Sequence, residues 1–279
     1  MKRLATLVLT ITLGLGVLAG CGGAKPSDTA KDTNTAPAAP QEQVSPDIKA
    51  IKDRGVLKAG VKVDVPKFGY KDPKTDKIDG FEVDIVRAIA KKILGDPEKI
   101  QLQGVNAKTR GPALDNGEVD LVAATFTITE ERKKSWNFSD SYYQDAVGLL
   151  VKKDSGLKSL KDFNGKTIGV AQGATSKAAI QAAADQLGIK INFAEFATNP
   201  EIKAALDADR VQAFSIDGAI LQGYVDDKTV ILPDRFSPQD YGIATKKGND
   251  GLAKLINDTI NEMKKNGEMD NLLKKWGLK

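Results

Sequence analysis

The chain has 279 residues, 41 lysines and arginines against 37 acids, no histidine and a single cysteine. That length accommodates one large domain or two lobes. Without histidine, a zinc site of the usual kind or a histidine-based triad is excluded, and no metal or cofactor is expected. The positive and negative charges are interspersed with no basic block, so the chain carries no electrostatic footprint for nucleic acid.

In chain order, Lys2 and Arg3 precede an apolar run over 4–17, and Leu18-Ala19-Gly20-Cys21 follows. This is the plan of a secretory leader, and the run is shorter than the roughly 20 residues that span a bilayer. The four residues ending at Cys21 resemble the lipobox of bacterial lipoproteins. That resemblance implies a signal peptide over 1–20, cleavage before Cys21 and acylation of that cysteine. Losing Lys2 and Arg3 lowers the formal charge from +4 to about +2. Residues 21–46 are rich in Ala, Pro, Thr, Ser and Asp, cannot bury enough apolar surface to offset their ordering entropy, and read as a flexible tether.

From residue 47 the pattern alternates. A short helix over 46–53 leads into a strand over 56–63. A helix over 81–94 places Phe81, Ile85, Ile89 and Ile93 on one stripe, with Glu82 and Asp84 in its first turn. A strand over 100–105, a short helix from 112 and a buried strand over 121–125 complete the first series. An extended segment after Tyr143 opens the second: strands over 167–171, 191–196 and 213–216, and helices over 176–187, 200–208 and 218–226. Residues 233–238 break the pattern, a strand resumes over 241–245, and two helices over 251–265 and 268–276 follow. Such alternation predicts an α/β protein of two lobes, each a mostly parallel sheet flanked by helices, joined by two crossover strands. Residues 47–146 with 240–279 are assigned to lobe 1 and 147–239 to lobe 2.

Ligands of open α/β sheets sit beyond the carboxyl ends of strands, facing helix N-termini. Four stretches lie there. Thr125, Thr127 and Thr129 lead into a helix carrying Arg132, a cation in a first turn where the macrodipole opposes it. A matching carboxylate would explain it, and so would a solvated arginine with Thr129 as an ordinary N-cap. Thr175 and Ser176 open the helix after Gly173, as anion-facing amides or plain caps. Asp217 follows a buried strand, placed to receive an ammonium or to cap the next helix. Lys62 and Arg110 end the loops of two neighbouring strands, each a surface cation by default. Together Arg132 and Thr175 suit an α-carboxylate, Asp217 an α-ammonium, and Lys62 with Arg110 a second negative group.

The segments Gly80-Phe81-Glu82-Val83-Asp84, Thr125-Phe126-Thr127-Ile128-Thr129 through Arg132, Asn137-Phe138-Ser139 and Lys274-Lys275-Trp276-Gly277 resemble those of the polar amino-acid solute-binding proteins of bacterial ABC uptake systems. The likeness runs from residue 47 onward and implies the type II periplasmic-binding fold. It implies an extracytoplasmic, lipid-anchored or periplasmic monomer that closes about a hinge on an amino acid and delivers it to a permease and its ATPase. Carried over residue by residue, Arg132 clamps the α-carboxylate with Thr127 and the helix start at Thr175. The Thr125 carbonyl and Asp217 take the ammonium. Lys62, Arg110 and the loops around them look most like the aspartate/glutamate-binding branch, with Phe68, Tyr70 and Phe126 as cradle candidates. The alternatives are a binder of glutamine or another polar amino acid, and a dehydratase-like enzyme using Asp217, Glu195 or Asp64 as general acid.

Overall fold

A computed structural model describes residues 44–278; the leader, Cys21 and the tether up to residue 43 lie outside the described residues. The strands in chain order are β1 (Leu57–Val61), β2 (Asp64–Val65), β3 (Gly69–Lys71), β4 (Ile78–Asp79), β5 (Ile100–Gly104), β6 (Leu121–Ala123) and β7 (Trp136–Phe138). They continue as β8 (Tyr143–Lys152), β9 (Thr167–Ala171), β10 (Asn192–Phe196), β11 (Ala213–Asp217), β12 (Thr229–Ile231), β13 (Phe236–Tyr241) and β14 (Ala244–Lys246). The helices are α1 (Pro46–Arg54), α2 (Phe81–Leu94), α3 (Arg110–Asp115), α4 (Glu130–Ser135), α5 (Ser176–Leu187), α6 (Asn199–Asp207), α7 (Gly218–Leu221), α8 (Asp250–Lys265) and α9 (Glu268–Lys275).

Two sheets give two lobes. The first has the order β5-β1-β6-β14-β7 and the second β10-β9-β11-β8-β12, with β13 pairing β8; β2, β3 and β4 form a small third sheet. Both main sheets are mixed, which corrects the expectation of mostly parallel ones. In the first, β1 runs parallel to β5 and β6, whereas β14 is antiparallel to β6 and β7. In the second, β9 runs parallel to β10 and β11, whereas β8 is antiparallel to β11, β12 and β13. β14 arrives from β13 of the second sheet and so enters the first through the inter-lobe link rather than through a βαβ crossover within it.

Strands β8 and β13 form the connection between lobes, paired from Phe236↔Val147 to Tyr241↔Tyr143. They reach a few residues further toward lobe 1 than the divisions drawn from sequence. The proline-containing stretch read as a break is this strand, which accommodates Pro238 at a register shift. Three further elements are shorter than expected. The strand before Thr125 ends at Ala123 because Thr125 takes a left-handed φ of 46°. The helix after Asp217 stops at Leu221, where Gly223 turns the chain. The first strand ends at Val61 and pairing resumes only at β2.

Helix α2 shows why the elements lie where they do. Its stripe, Phe81, Ile85, Ile89 and Ile93, is buried together with Val83, Val86 and Ala90. That stripe packs with Leu57, Ala59 and Val61 of β1 and with Leu252, Ile256, Ile260 and Met263 of α8. Gly80 precedes it at φ 155°, with the Phe68 carbonyl so near that a Cβ would sit 2.1 Å from its oxygen. Only glycine fits there. At the opposite end of the sequence, Trp276 Nε1 donates to Asp84 Oδ2 at 2.8 Å and Lys275 pairs with the same oxygen at 2.7 Å. Two of the sequence motifs therefore meet. Among the described residues no helix is long and apolar enough to cross a membrane.

Candidate functional site

The strand ends of the two lobes face one another across a small cavity of about 20 Å³. Lobe 1 lines it with Lys62, Ala107, Arg110, Thr125 and Thr127. Lobe 2 contributes Ala171, Ala174, Thr175, Asn199, Ile216, Asp217 and Ile220. Six of the eight residues singled out for ligand contact are here. Arg132 and Ser176 are not among the lining residues.

Lys62 follows β1 and is 4 % exposed, far from the surface cation of the default reading. Its Nζ lies 3.3 Å from Asp64 Oδ1, close enough for an ion pair though without hydrogen-bond geometry, so that oxygen has no hydrogen-bond partner. Asp64 Oδ2 receives the Asn199 amide from lobe 2 at 3.3 Å. Arg110 opens α3, with Pro112 tolerated in the first turn. It is 3 % exposed, donates from Nη1 to the Ala124 and Thr125 carbonyls at 2.7 and 2.9 Å, and lies 4.1 Å from the Phe126 ring centre. Its Nε has no partner. Burial, and then the nearby Arg132, pull its pKa down to about 9, so it stays cationic at neutral pH.

Arg132 also lies over Phe126, on which both guanidiniums rest. Its Nη1 donates to the Thr127 carbonyl at 2.7 Å and its Nη2 crosses the cleft to the Gly173 carbonyl at 3.0 Å. Among the described residues no carboxylate forms an ion pair with Arg110 or Arg132 within 4 Å. Burial brings the Arg132 pKa down to about 10. Thr129 does act as the N-cap, accepting from the Arg132 amide at 3.1 Å.

Asp217 ends β11 and is 4 % exposed. It caps nothing. Asp145 of β8 takes that role, accepting from the Ala219 amide of α7 at 2.7 Å. The Asp217 Oδ2 accepts from the Tyr241 hydroxyl at 2.5 Å, and Oδ1 has no partner. Burial pushes its carboxyl up to about 6, against the Tyr241 hydrogen bond and the two arginines, with Asp145 raising it further.

Thr175 precedes α5 and its side chain caps nothing. Its hydroxyl donates to Gln239 Oε1 at 2.6 Å, and the same oxygen accepts from the Thr127 hydroxyl at 2.8 Å. Gln239 thus ties one threonine of each lobe to the connecting strand. Sequence reasoning missed it because residues 233–238 were read as a break rather than as the start of a strand. Asn199, buried beside Asp64, was masked by Pro200, which reads as a simple helix start. Ser176 is wholly buried behind the cavity with its Oγ unpartnered.

The aromatic cradle expected from sequence lies elsewhere. Phe68 packs edge-on against Phe81, Tyr143 and Tyr241 in the core, Tyr70 is 41 % exposed, and Phe126 supports the arginines. Ala107, Ala171, Ala174, Ile216 and Ile220 supply the apolar wall. Glu195, considered as a general acid, pairs with Lys177 at 2.6 Å and is not among the cavity residues.

A family model of the bacterial extracellular solute-binding proteins, family 3, matches residues 57–279. The chain belongs to that family. The glutamine-binding protein GlnH of the ABC transporter of Bacillus subtilis (strain 168) is 39 % identical over 279 residues, covering 99 % of this chain and 97 % of its own. The glutamine-binding protein of Geobacillus stearothermophilus is 40 % identical over 267 residues, covering 91 % and 96 %. Among solved structures, an ancestral arginine-binding protein bound to glutamine superposes with a TM-score of 0.71 at 37 % identity, over 80 % of this chain and 98 % of its own. As a family 3 protein the chain is an extracytoplasmic binding protein, with the two-lobe α/β fold of type II periplasmic binding proteins.

Proposed function

We propose that this family 3 protein binds glutamine between its lobes and delivers it to an ABC importer, tethered to the membrane by a lipid on Cys21. The observation that carries this reading is the Asp64 carboxylate beside Lys62. An acidic ligand would call for Lys62 and Arg110 as free cations, which was the first expectation. Lys62 instead has its counter-ion within the chain. A carboxamide both accepts and donates, so it suits a site where Lys62 lines the cavity as donor and Asp64, beside it just outside the lining, keeps an Oδ1 without a hydrogen-bond partner. A carboxylate in the same place would face Asp64 and leave that oxygen unsatisfied. Such a mismatch costs about 1–3 kcal/mol, roughly ten- to hundredfold in affinity. The two relatives named for glutamine, similar over nearly the whole chain, support the same choice over aspartate or glutamate.

In this reading Asp217 and the Thr125 carbonyl hold the ammonium, and Arg132, Thr127 and the amides at Thr175 and Ser176 receive the α-carboxylate. Contacts such as Arg132 to Gly173 join the lobes, so ligand binding and closure draw on shared groups. The test is calorimetric titration of the purified protein with glutamine, glutamate, asparagine and aspartate, after unfolding and refolding to remove carried-over ligand. Glutamine is expected to bind at least tenfold tighter than glutamate. Preference for either acid would overturn the ligand assignment and restore Lys62 and Arg110 as a carboxylate clamp.

A further inference from the structure

Glu82 is fully buried between Phe81 and Val83 on the core side of α2 and does not line the cavity. Packing alone has no use for a carboxylate there, because ionising an acid in the interior costs several kcal/mol unless neighbours compensate it. Its neighbours are specific. Oε1 accepts from the Thr125 amide at 2.6 Å and from the Tyr142 hydroxyl, while Oε2 has no hydrogen-bond partner. Thr125 is the cavity residue held at φ 46°, a conformation that a threonine reaches only when its surroundings impose it. Glu82 also lies close enough to Lys62 and Arg110 to act on both through space.

The charges around the cavity therefore balance. Lys62, Arg110 and Arg132 face Asp64, Glu82 and Asp217, and of these acids Glu82 alone draws its hydrogen bonds only from its own lobe, from Thr125 and Tyr142. From this arrangement we infer that Glu82 is a positioning and specificity-determining residue. It fixes Thr125 for the ligand and supplies the negative charge, opposite Lys62 and Arg110, that turns the site against acidic side chains. A glutamine zwitterion keeps the set neutral. Glutamate would leave one negative charge uncompensated in a cavity shielded from water. The inference rests on the proposed placing of the ligand side chain near Lys62 and Arg110.

The test compares glutamine and glutamate binding by calorimetry in the wild-type protein and in Glu82→Gln, which keeps the shape and an acceptor for Thr125 but removes the charge. The glutamine-to-glutamate affinity ratio is expected to fall at least tenfold in E82Q, while Glu82→Asp weakens both ligands through Thr125 and keeps the ratio near wild type. An unchanged ratio in folded E82Q would overturn the inference. The wild-type preference alone tests the glutamine reading, so failure of one is distinguishable from failure of the other. If E82Q does not fold, the wild-type protein decides. Facing Lys62, Arg110, Tyr142 and Tyr241, the unpartnered Oε2 of Glu82 is the site for a compensating proton. Glutamate binding, measured in buffers of different ionisation enthalpy, is then expected to take up about one proton and glutamine none. Glutamate binding without proton uptake would also overturn the inference.

Discussion

The two walls of the cavity are built on different terms. The lobe 1 wall carries Lys62 and Arg110, fixed by Asp64, by the Ala124 and Thr125 carbonyls and by the Phe126 ring. The lobe 2 wall is mostly small and apolar, Ala171, Ala174, Ile216 and Ile220, with one acid, Asp217, half-satisfied by Tyr241. One wall is thus preorganised by charge and hydrogen bonds. The other completes the site by approaching closely. Where water is excluded and fields are strong, preorganised groups discriminate between ligands, and close approach converts binding into movement.

The comparison breaks first at Asp217. Replacing it with Asn leaves the shape of the lobe 2 wall and removes its only charge. Calorimetry is expected to show a loss of at least a hundredfold in ligand affinity, since the ligand ammonium and two arginines then lack that carboxylate. Retained affinity would mean that lobe 2 contributes closure alone. Next is close approach itself. Gly173 has φ 76°, and a Cβ there would stand 2.7 Å from the Ala107 carbonyl oxygen of the opposite wall. Gly173→Ala is expected to weaken binding by tens of fold, with small-angle scattering showing no compaction on adding ligand.

The sign of the pH effect follows from Asp217, whose carboxyl titrates at about 6 because it is buried. It is ionised above that value and neutral below, and under the proposed placement the ligand ammonium requires the ionised form. Affinity is therefore expected to be full above pH 7 and to fall about tenfold by pH 5. A flat profile across that range would move the ammonium away from Asp217. The smallest effect lies far from either wall: Trp276→Phe removes the hydrogen bond to Asp84. It should cost about 1 kcal/mol in denaturant unfolding and leave ligand affinity unchanged.

The fold was legible because its signals are periodic. The α2 stripe, the βα alternation and the Gly–acid helix starts identify the elements without tertiary information. The mixed character of the sheets was not legible, because β8 and β14 each enter their sheet from the other lobe, and no local pattern records the direction in which they do so. At the site, residue types at strand ends were enough to collect Lys62, Arg110, Thr125, Thr127, Thr175 and Asp217. Their partners were hidden. Asp64 stands two residues from Lys62 and reads in the sequence only as a candidate general acid; that it pairs with Lys62 shows only once the fold brings them together. Gln239 becomes visible only when two threonines from different lobes converge on it. Charge balance is a property of the assembled cavity, and Lys62 and Arg110 taken together, without the acids packed beside them, suit an acidic ligand.

The interior place of β14 in the first sheet also bears on how the chain is made. β7 joins that sheet only through β14, which arrives after the whole of the second sheet. A growing or exported chain can complete the second sheet while the first still lacks an interior strand, and long-range pairing of this kind is slow. Lobe 1, with Lys62, Arg110, Thr125 and Thr127 of the cavity wall, is thus the last to be completed, once nearly all of the sequence has emerged.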